Sequence, residues 1–242
     1  MWTFCEPPDT PTCPATAGPI RSVSTSSSTR PERGPPAVRD PVKSAPHQPS
    51  RHTVLRWADA QAAPWKNGGG LTSTLLTGPA GSPSDAFDWR ISIAGIRRSG
   101  DFSAFDGVER VFTLVEGDPV ALTIDGTEQA VPLLAPLTFS GASDVSCALM
   151  SGPARALNVM TREGRCRAEV SVLLIDGRRQ LTCTRGRENL LLPLPSEVGV
   201  TTSGGCTQSL GRFDLLRVHG DWALLEPRGA QSMLLIEIAP IG

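Results

Sequence analysis

The chain has 242 residues, and its 23 basic side chains nearly balance its 24 acidic ones, which leaves a formal net charge of −1. This balance argues against a nucleic-acid-binding protein, because such proteins normally carry a basic excess or stripe. No apolar run approaches the roughly 18 residues that a membrane-spanning helix needs, so we expect no membrane partner.

The first 50 residues differ in composition from the rest of the chain. They hold 11 of the 22 prolines and the Ser/Thr-rich run "SVSTSSSTR". Such a segment buries too little apolar surface to offset the entropy of ordering it, which predicts a disordered tail over residues 1–50 and a folded domain over 51–242. The start "MWTFCEPPDT" lacks the basic and apolar regions of a secretory signal, and we expect a cytoplasmic protein.

From Thr53 onward, short alternating segments separated by Gly, Pro and Asp turns predict β-strands at a spacing typical of a sandwich or barrel. No stretch of a dozen residues shows a helical period, so the chain is predicted to be all-β. The turn pattern of 114–126 recurs weakly in the second half, which permits two similar barrels. The predicted strands are 71–76, 89–96, 110–117, 119–126, 145–150, 155–160, 168–177, 188–194, 213–220, 221–227 and 232–241.

The stretch "PWKNGGG", residues 64–70, is the least ordinary in the chain. It is no Walker loop, since Lys66 precedes the glycines, and no G-x-G-x-x-G fingerprint occurs around it. One hypothesis is a loop whose backbone N–H groups and Lys66 ammonium receive a small anion, with Asn67 adding directional hydrogen bonds. The alternative is a sharp turn that enters a strand, with Lys66 solvated.

Polar residues also interrupt several predicted strands. In "WRISIAGI", Arg90 and Ser92 share the face opposite Trp89 and the isoleucines. This face is either a barrel interior, where Arg90 would bind a carboxylate bidentately, or a surface in water, and periodicity alone favours water. Arg110 at the next strand, and Asn158 in "LNVMTREG", pose the same question.

Catalytic and metal-binding patterns are sparse. The three histidines are His47, His52 and His219, two of them in or beside the tail, and we expect neither a metal nor another cofactor. The six cysteines form no C-x-x-C pair, which indicates simple thiols. There is no G-x-S-x-G elbow and no tyrosine, and no catalytic residues are assigned.

Four segments together resemble the HutD/Ves family in order and spacing. They are "PWKNGGGLT" (64–72), "WRISIAGI" (89–96), "GDFSAFDGVERVFTLVEG" (100–117) and "LNVMTREGR" (157–165). The resemblance covers about residues 53–240 and implies the cupin fold, a small β-barrel, duplicated within one chain. Two features depart from the family pattern, namely Ser73 and Thr74 after the glycines and Glu163 after Arg162.

The resemblance implies an accessory or regulatory protein linked to histidine utilization, non-enzymatic, which binds a small carboxylate-containing metabolite. The alternative is a metal-independent cupin enzyme, an isomerase or hydrolase, with Glu109 or Glu116 as base. Cupin sheets often pair across subunits, so a homodimer is a further expectation. The candidate ligand-binding residues carried over from the family motifs are Trp65, Lys66, Asn67, Gly68, Gly69, Gly70, Thr72, Arg90, Ser92, Arg110 and Asn158.

Overall fold

The computed structural model describes residues 52–65, 67–83 and 86–241. The predicted tail over residues 1–50 and the candidate Lys66 therefore lie outside the described residues. Within the described ranges the chain is built from β-strands, with one short 3-10 helix at Trp57–Asp59. The all-β prediction is confirmed. Among these residues, no helix is long and apolar enough to cross a bilayer.

The strands follow the chain in this order: β1 Thr53–Leu55, β2 Ala62–Pro64, β3 Gly70–Gly78, β4 Trp89–Ile96, β5 Gly100–Asp101, β6 Val108–Glu116, β7 Val120–Ile124, β8 Thr127–Val131, β9 Leu137–Ser140 and β10 Val145–Leu149. They continue with β11 Ala154–Arg162, β12 Cys166–Ile175, β13 Arg179–Thr182, β14 Glu188–Pro193, β15 Val198–Thr202, β16 Thr207–Leu210, β17 Leu215–Val218, β18 Trp222–Pro227 and β19 Gln231–Pro240.

These strands form four antiparallel sheets that pack as two sandwiches. In the first sandwich, a sheet of order β2-β3-β4-β11-β6-β9 faces a sheet of order β5-β10-β7-β8. In the second, β1-β17-β14-β19-β12 faces β13-β18-β15-β16. The strand β1 pairs with β17, so the beginning of the described chain joins the second sandwich. That the two sandwiches are a duplicated barrel stays a prediction.

Of the four apolar clusters among the described residues, the three larger ones hold the sheets together. One core fills the first sandwich and includes Phe112 and Leu122, and a second core fills the other sandwich and includes Leu191 and Met233. The third core packs the β4 and β11 sheet against the β14 and β19 sheet. Burial of such apolar side chains stabilises the fold by about 25 cal/mol for each Å² removed from water.

Both faces of β4, β6 and β11 are therefore buried, because a core lies on each side of their sheet. Trp89, Ile91 and Ile93 enter the core between the sandwiches, whereas Ile96 enters the core of the first sandwich. Because β-strand side chains alternate between faces, Arg90 and Ser92 point into the first sandwich with Ile96. Arg90 is only 8% exposed, so the interpretation that this face meets water is wrong. A second sheet covers it, which alternation within one strand cannot reveal.

Candidate functional site

The central strands of the first sandwich bring polar residues into two adjacent rows. In one row, Met160 of β11 lies opposite Arg90 of β4 and Arg110 of β6. In the other, Asn158 lies opposite Ser92 and Phe112. We call Arg90, Ser92, Arg110, Asn158 and Met160 the arginine face. All five are buried, which is uncommon for arginine in a protein interior.

Arg110 is held by one hydrogen bond and two aromatic rings. Its Nε donates to Oδ1 of Asn158 over 2.7 Å. The guanidinium carbon lies 4.6 Å from the centre of the Phe102 ring and 5.4 Å from that of Phe139, within the range of cation–π attraction. No ion pair of Arg110 occurs among the described residues.

Arg90 has an aromatic setting of the same kind. Its guanidinium carbon lies 5.0 Å from the Phe87 ring centre and 4.9 Å from that of Phe105. One terminal nitrogen lies 3.0 Å from the sulfur of Met160, which is a weak acceptor. Each of the two arginines is therefore flanked by a pair of phenylalanines.

The electrostatics of the arginine face reflect burial of positive charge. The pKa of Arg110 is lowered to about 9, mainly by burial and in part by the charge of Arg90, while the nearby Cys147 thiol acts in the opposite direction. Burial also lowers the pKa of Arg90. Two cations in a low-dielectric interior repel each other, so an anion placed between or beside them would be strongly favoured.

The described residues of the glycine-rich stretch lie between β2 and β3, and the side chains of Trp65 and Asn67 among them bond within the protein. Oδ1 of Asn67 accepts from the Gly69 N–H at 2.9 Å, and its Nδ2 donates to the Asp101 carbonyl at 3.2 Å. The indole N–H of Trp65 donates to the Thr72 hydroxyl at 2.7 Å. These contacts explain the residue types as a turn, while contact with a ligand stays a prediction.

Two of the glycines are required by the backbone. Gly68 adopts φ +65°, a region that favours glycine. A Cβ on Gly70 would lie 2.4 Å from the Gly95 carbonyl oxygen of β4, so only glycine allows this close approach. Gly69 accepts at its carbonyl from the Arg97 and Arg98 amides, which ties the turn to the end of β4.

The structure thus divides the sequence-predicted candidates into two groups. It brings Arg90, Ser92, Arg110 and Asn158 together on one interior face. It places Trp65, Asn67, Gly68 and Gly69 in the turn between β2 and β3, and Gly70 and Thr72 at the start of β3. Sequence reasoning missed the rings of Phe87 and Phe139 and the buried Cys147. The only signal for Phe139 in the sequence was its position in a short alternating segment. In the structure, the pairing of β9 with β6 sets Phe139 opposite Arg110.

A cavity of about 640 Å³ lies elsewhere, at one end of the β14 and β17 sheet. Its charged groups are already matched: Arg217 bonds Glu188 through two nitrogens at 2.7 and 2.5 Å, and Arg185 bonds Asp221 at 2.9 Å. We regard the arginine face as the better candidate, because a buried guanidinium such as that of Arg110, with no ion pair among the described residues, points to a ligand more directly than open volume does.

Metal and acid–base chemistry find little support in the described residues. No group of three or more His, Cys, Asp or Glu side chains there is arranged to hold a metal ion. Glu109 alternates with Arg110 and so lies on the opposite face of β6. Glu116 pairs with Arg155 and with Arg212. Neither of the two candidate bases belongs to the arginine face.

Comparison with known proteins places this geometry in a family. A family model described as HutD matches residues 57–235. An uncharacterized 21.2 kDa protein in the hutC 3' region of Pseudomonas putida is 38% identical over 191 residues, which cover 78% of this chain and 98% of that protein. Protein Ves of Citrobacter koseri is 42% identical over 110 residues, or 45% of this chain and 56% of Ves.

Solved structures agree with the sequence comparison. HutD from Pseudomonas fluorescens SBW25, determined in a formate condition, is 34% identical and superposes with a TM-score of 0.67, covering 79% of this chain and 100% of that one. A cupin 2 conserved barrel domain protein from Leptotrichia buccalis, 10% identical, has a TM-score of 0.50 over 69% of this chain and 88% of that one. The second likeness shows the cupin-like barrel fold alone.

Proposed function

This chain belongs to the HutD family, and on that premise we propose that it is a non-enzymatic accessory or regulatory protein of histidine utilization, which binds a small carboxylate at the arginine face. The link to histidine utilization is supported by the relative in the hutC 3' region of P. putida. The ligand class is supported by the chemistry of the arginine face.

The observation that carries the proposal is the unmatched charge of Arg110. Its side chain is buried, only its Nε–H has a hydrogen-bond acceptor among the described residues, and no carboxylate there pairs with it. Burying an uncompensated charge costs roughly several kcal/mol of folding free energy. A protein retains such a group where a ligand supplies the opposite charge.

A carboxylate suits the donors that the arginine face offers. A guanidinium presents parallel N–H groups that match the two oxygens of a carboxylate. The Asn158 amide, whose oxygen is oriented by Arg110, carries two N–H donors of its own. Formate is a suitable first probe, because it is the smallest carboxylate and the structure of HutD from P. fluorescens was determined in a formate condition.

The alternative of a metal-independent enzyme loses its candidate bases. Glu109 lies on the opposite face of β6 from Arg110, and Glu116 is engaged with Arg155 and Arg212. A general base must reach the proton that it removes within about 3 Å or through one water. The binding proposal requires no such group.

A thermal-shift screen tests the proposal. Full-length protein in a metal chelator is heated with formate, acetate, glutamate, urocanate and histidine, and with formamide and acetamide as uncharged counterparts. A ligand that binds only the folded state at a hundredfold excess over its Kd stabilises by about 2.7 kcal/mol. We expect a shift with at least one carboxylate and none with the amides. Equal shifts with formate and formamide, or no shift at all, would overturn the proposal.

Lys66 is tested in the same screen. If the glycine-rich stretch contributes charge to the ligand, Lys66→Ala reduces the carboxylate-dependent shift without changing the melting temperature of the free protein. An unchanged shift would confine binding to the arginine face.

A further inference from the structure

The loop between β5 and β6, residues 102–107, lies directly over the arginine face. Its two phenylalanines, Phe102 and Phe105, are half-buried, whereas Ser103 and Ala104 between them are exposed. The Phe102 ring contacts the Arg110 guanidinium and the Phe105 ring contacts that of Arg90. One short loop therefore covers part of both guanidinium groups.

Hydrogen bonds hold this loop along its length, and at its far end Nη1 of Arg162 donates to the Asp106 carbonyl and the Glu163 N–H donates to the Gly107 carbonyl, each at 3.0 Å. The Phe102 N–H donates to the Val145 carbonyl at 2.8 Å, and the Phe105 N–H donates to the Gly141 carbonyl at 2.7 Å. At the far end, Gly107 adopts φ +64°, which suits a glycine joint. The exposed tip and glycine end are features of segments that open locally at low free energy.

The near end of the loop is tied to the glycine-rich turn. Nδ2 of Asn67 donates to the carbonyl of Asp101, the residue that precedes Phe102. The Trp65 ring meets the Phe102 ring edge to face, with centres 5.9 Å apart. Asn67 itself is oriented by the Gly69 N–H, which donates to its Oδ1. The turn thus holds an asparagine against the start of the loop.

We propose that residues 102–107 form a lid over the arginine face and that Asn67 is the latch of this lid. A small anion reaches Arg110 when the loop lifts, and lifting breaks the bond from Asn67 to the Asp101 carbonyl. The identity of the anion that enters rests on the proposed function, whereas the motion of the lid does not depend on it. The glycine-rich turn then serves the site by controlling access to it.

Two buried cysteines provide a test within one chain. Cys147 lies on β10 in the core of the first sandwich and is 2% exposed. It pairs with Gly100 of β5, two residues before the lid begins. Cys183 lies in the second core and is 8% exposed. Burial raises the pKa of each thiol to about 11, so their intrinsic reactivities are comparable. The rate of alkylation by neutral iodoacetamide, followed by mass spectrometry at each site, compares the opening of the two regions.

Two variants separate the latch from the turn. Asn67→Asp retains an oxygen for the Gly69 N–H but cannot donate to the Asp101 carbonyl, and Asn67→Ala removes both bonds. Ser82→Ala is the matched control. It removes one exposed hydrogen bond, from the Ser82 hydroxyl to the Pro79 carbonyl at 2.7 Å, which involves neither the lid nor the glycine-rich turn. We expect both Asn67 variants to alkylate at Cys147 roughly 3 to 10 times faster, the range for one lost hydrogen bond. Cys183 should be unchanged, as should both rates in Ser82→Ala.

Two results would overturn the lid. One is an unchanged Cys147 rate in both Asn67 variants, and the other is an equal rise at Cys147 and Cys183, which would mean general loosening. Saturating formate distinguishes this outcome from failure of the proposed function. If Asn67→Asp speeds Cys147 but formate does not protect it, the lid stands and the formate site fails. If formate protects Cys147 but Asn67→Asp has no effect, the site stands and the latch is wrong.

Discussion

The two sandwiches have similar sheets but treat their buried polar groups in opposite ways. In the second sandwich, the buried Asn189 amide accepts from the Thr184 N–H and donates to the Thr184 and Arg187 carbonyls. Asp214 accepts from Arg56 and from the Trp57 and Gly211 amides. In the first sandwich, Arg110 has a single hydrogen bond and two aromatic rings.

The difference distinguishes buried polar groups that stabilise the fold from those that are available to a ligand. Buried polar groups are normally satisfied by the protein itself, as Asn189 and Asp214 are in the second sandwich, because leaving them unsatisfied is unfavourable. The first sandwich retains the buried Arg110 cation without an ion pair among the described residues, which is unfavourable for stability. We therefore propose ligand binding for the first sandwich and a structural role for the polar groups of the second.

The largest effect is expected from removing the charge of Arg110. Arg110→Met keeps most of the side-chain volume and should weaken carboxylate binding roughly 10- to 100-fold, since a hydrogen bond to a charged group contributes about 1.5–3 kcal/mol. The melting temperature should stay the same or rise, because a buried unmatched charge is lost. Calorimetric titration and thermal unfolding measure the two quantities.

Arg217→Met is the counterpart in the second sandwich. It leaves Glu188 without its bidentate partner, and because both side chains are partly exposed we expect a loss of only about 1 kcal/mol in stability. Carboxylate affinity should not change. Loss of affinity in both variants would remove the distinction between the sandwiches.

The same substitution in each sandwich should change stability in opposite directions. Asn158→Asp gives Arg110 an internal carboxylate at hydrogen-bond distance, so it should raise the melting temperature and block ligand binding. Asn189→Asp places an acceptor against the Thr184 and Arg187 carbonyls, which should lower stability by about 1–3 kcal/mol. Chemical denaturation of both variants checks the signs, and destabilisation by both would contradict the account.

A pH titration should show the charge of Arg110 in binding. A carboxylate ligand is ionised above about pH 5, and Arg110 in the free protein has a pKa of about 9. The ligand binds the protonated arginine, so affinity should be constant from pH 6 to 8 and fall as the pH rises through 9. Titration calorimetry at pH 6, 7, 8, 9 and 10 measures this, with circular dichroism as a check of folding. A fall between pH 6 and 8 would point to another group.

The smallest effect concerns the two histidines of the second sandwich. Burial lowers the pKa of both His52 and His219. The charge of His219 lowers the pKa of His52 further. The charge of Arg217 also lowers the pKa of His219, while Glu188 acts in the opposite direction. The unfolded chain takes up protons near pH 6.5 more readily than the folded one, so stability should fall as the pH drops below 6.5. Melting temperatures from pH 7.5 to 5 should show this slope.

Replacing both histidines by glutamine should flatten that slope, and Arg110→Met should leave it as it is. His52 contributes through Nδ1, which accepts from the His219 N–H at 3.1 Å and cannot do so when protonated. An identical slope in the double variant would show that other groups titrate in this range.

Much of the fold could be predicted because its strands carry a clear local signal. The segment 89–96 matches β4 residue for residue, and 188–194 differs from β14 by one residue. Within the described part of the chain, the prediction missed eight strands of two to five residues, namely β1, β2, β5, β8, β9, β13, β15 and β16, because segments this short hold too few residues for a periodic pattern to stand out. A cytoplasmic location and a homodimer stay predictions.

The site could be predicted only as a set of residues, because its meaning depends on how the sheets pack. Periodicity placed Arg90 and Ser92 on one face but could not show that a second sheet covers that face. The family resemblance selected Arg110 and Asn158, but the bond between them depends on the β6–β11 register. Asn67 looked like a ligand group, whereas its hydrogen bonds to Gly69 and Asp101 appear only in three dimensions.

The most direct test is an NMR titration of the arginine Nε–H resonances with formate, assigned through Arg110→Met and Arg217→Met. Arg110 and Arg217 both donate from Nε over 2.7 Å, to a neutral amide and to a carboxylate respectively. We predict a saturable shift of the Arg110 resonance while that of Arg217 stays in place. A saturable shift at Arg217 alone, or an Arg110 resonance that does not respond to formate or the larger carboxylates, would contradict a carboxylate site in the first sandwich.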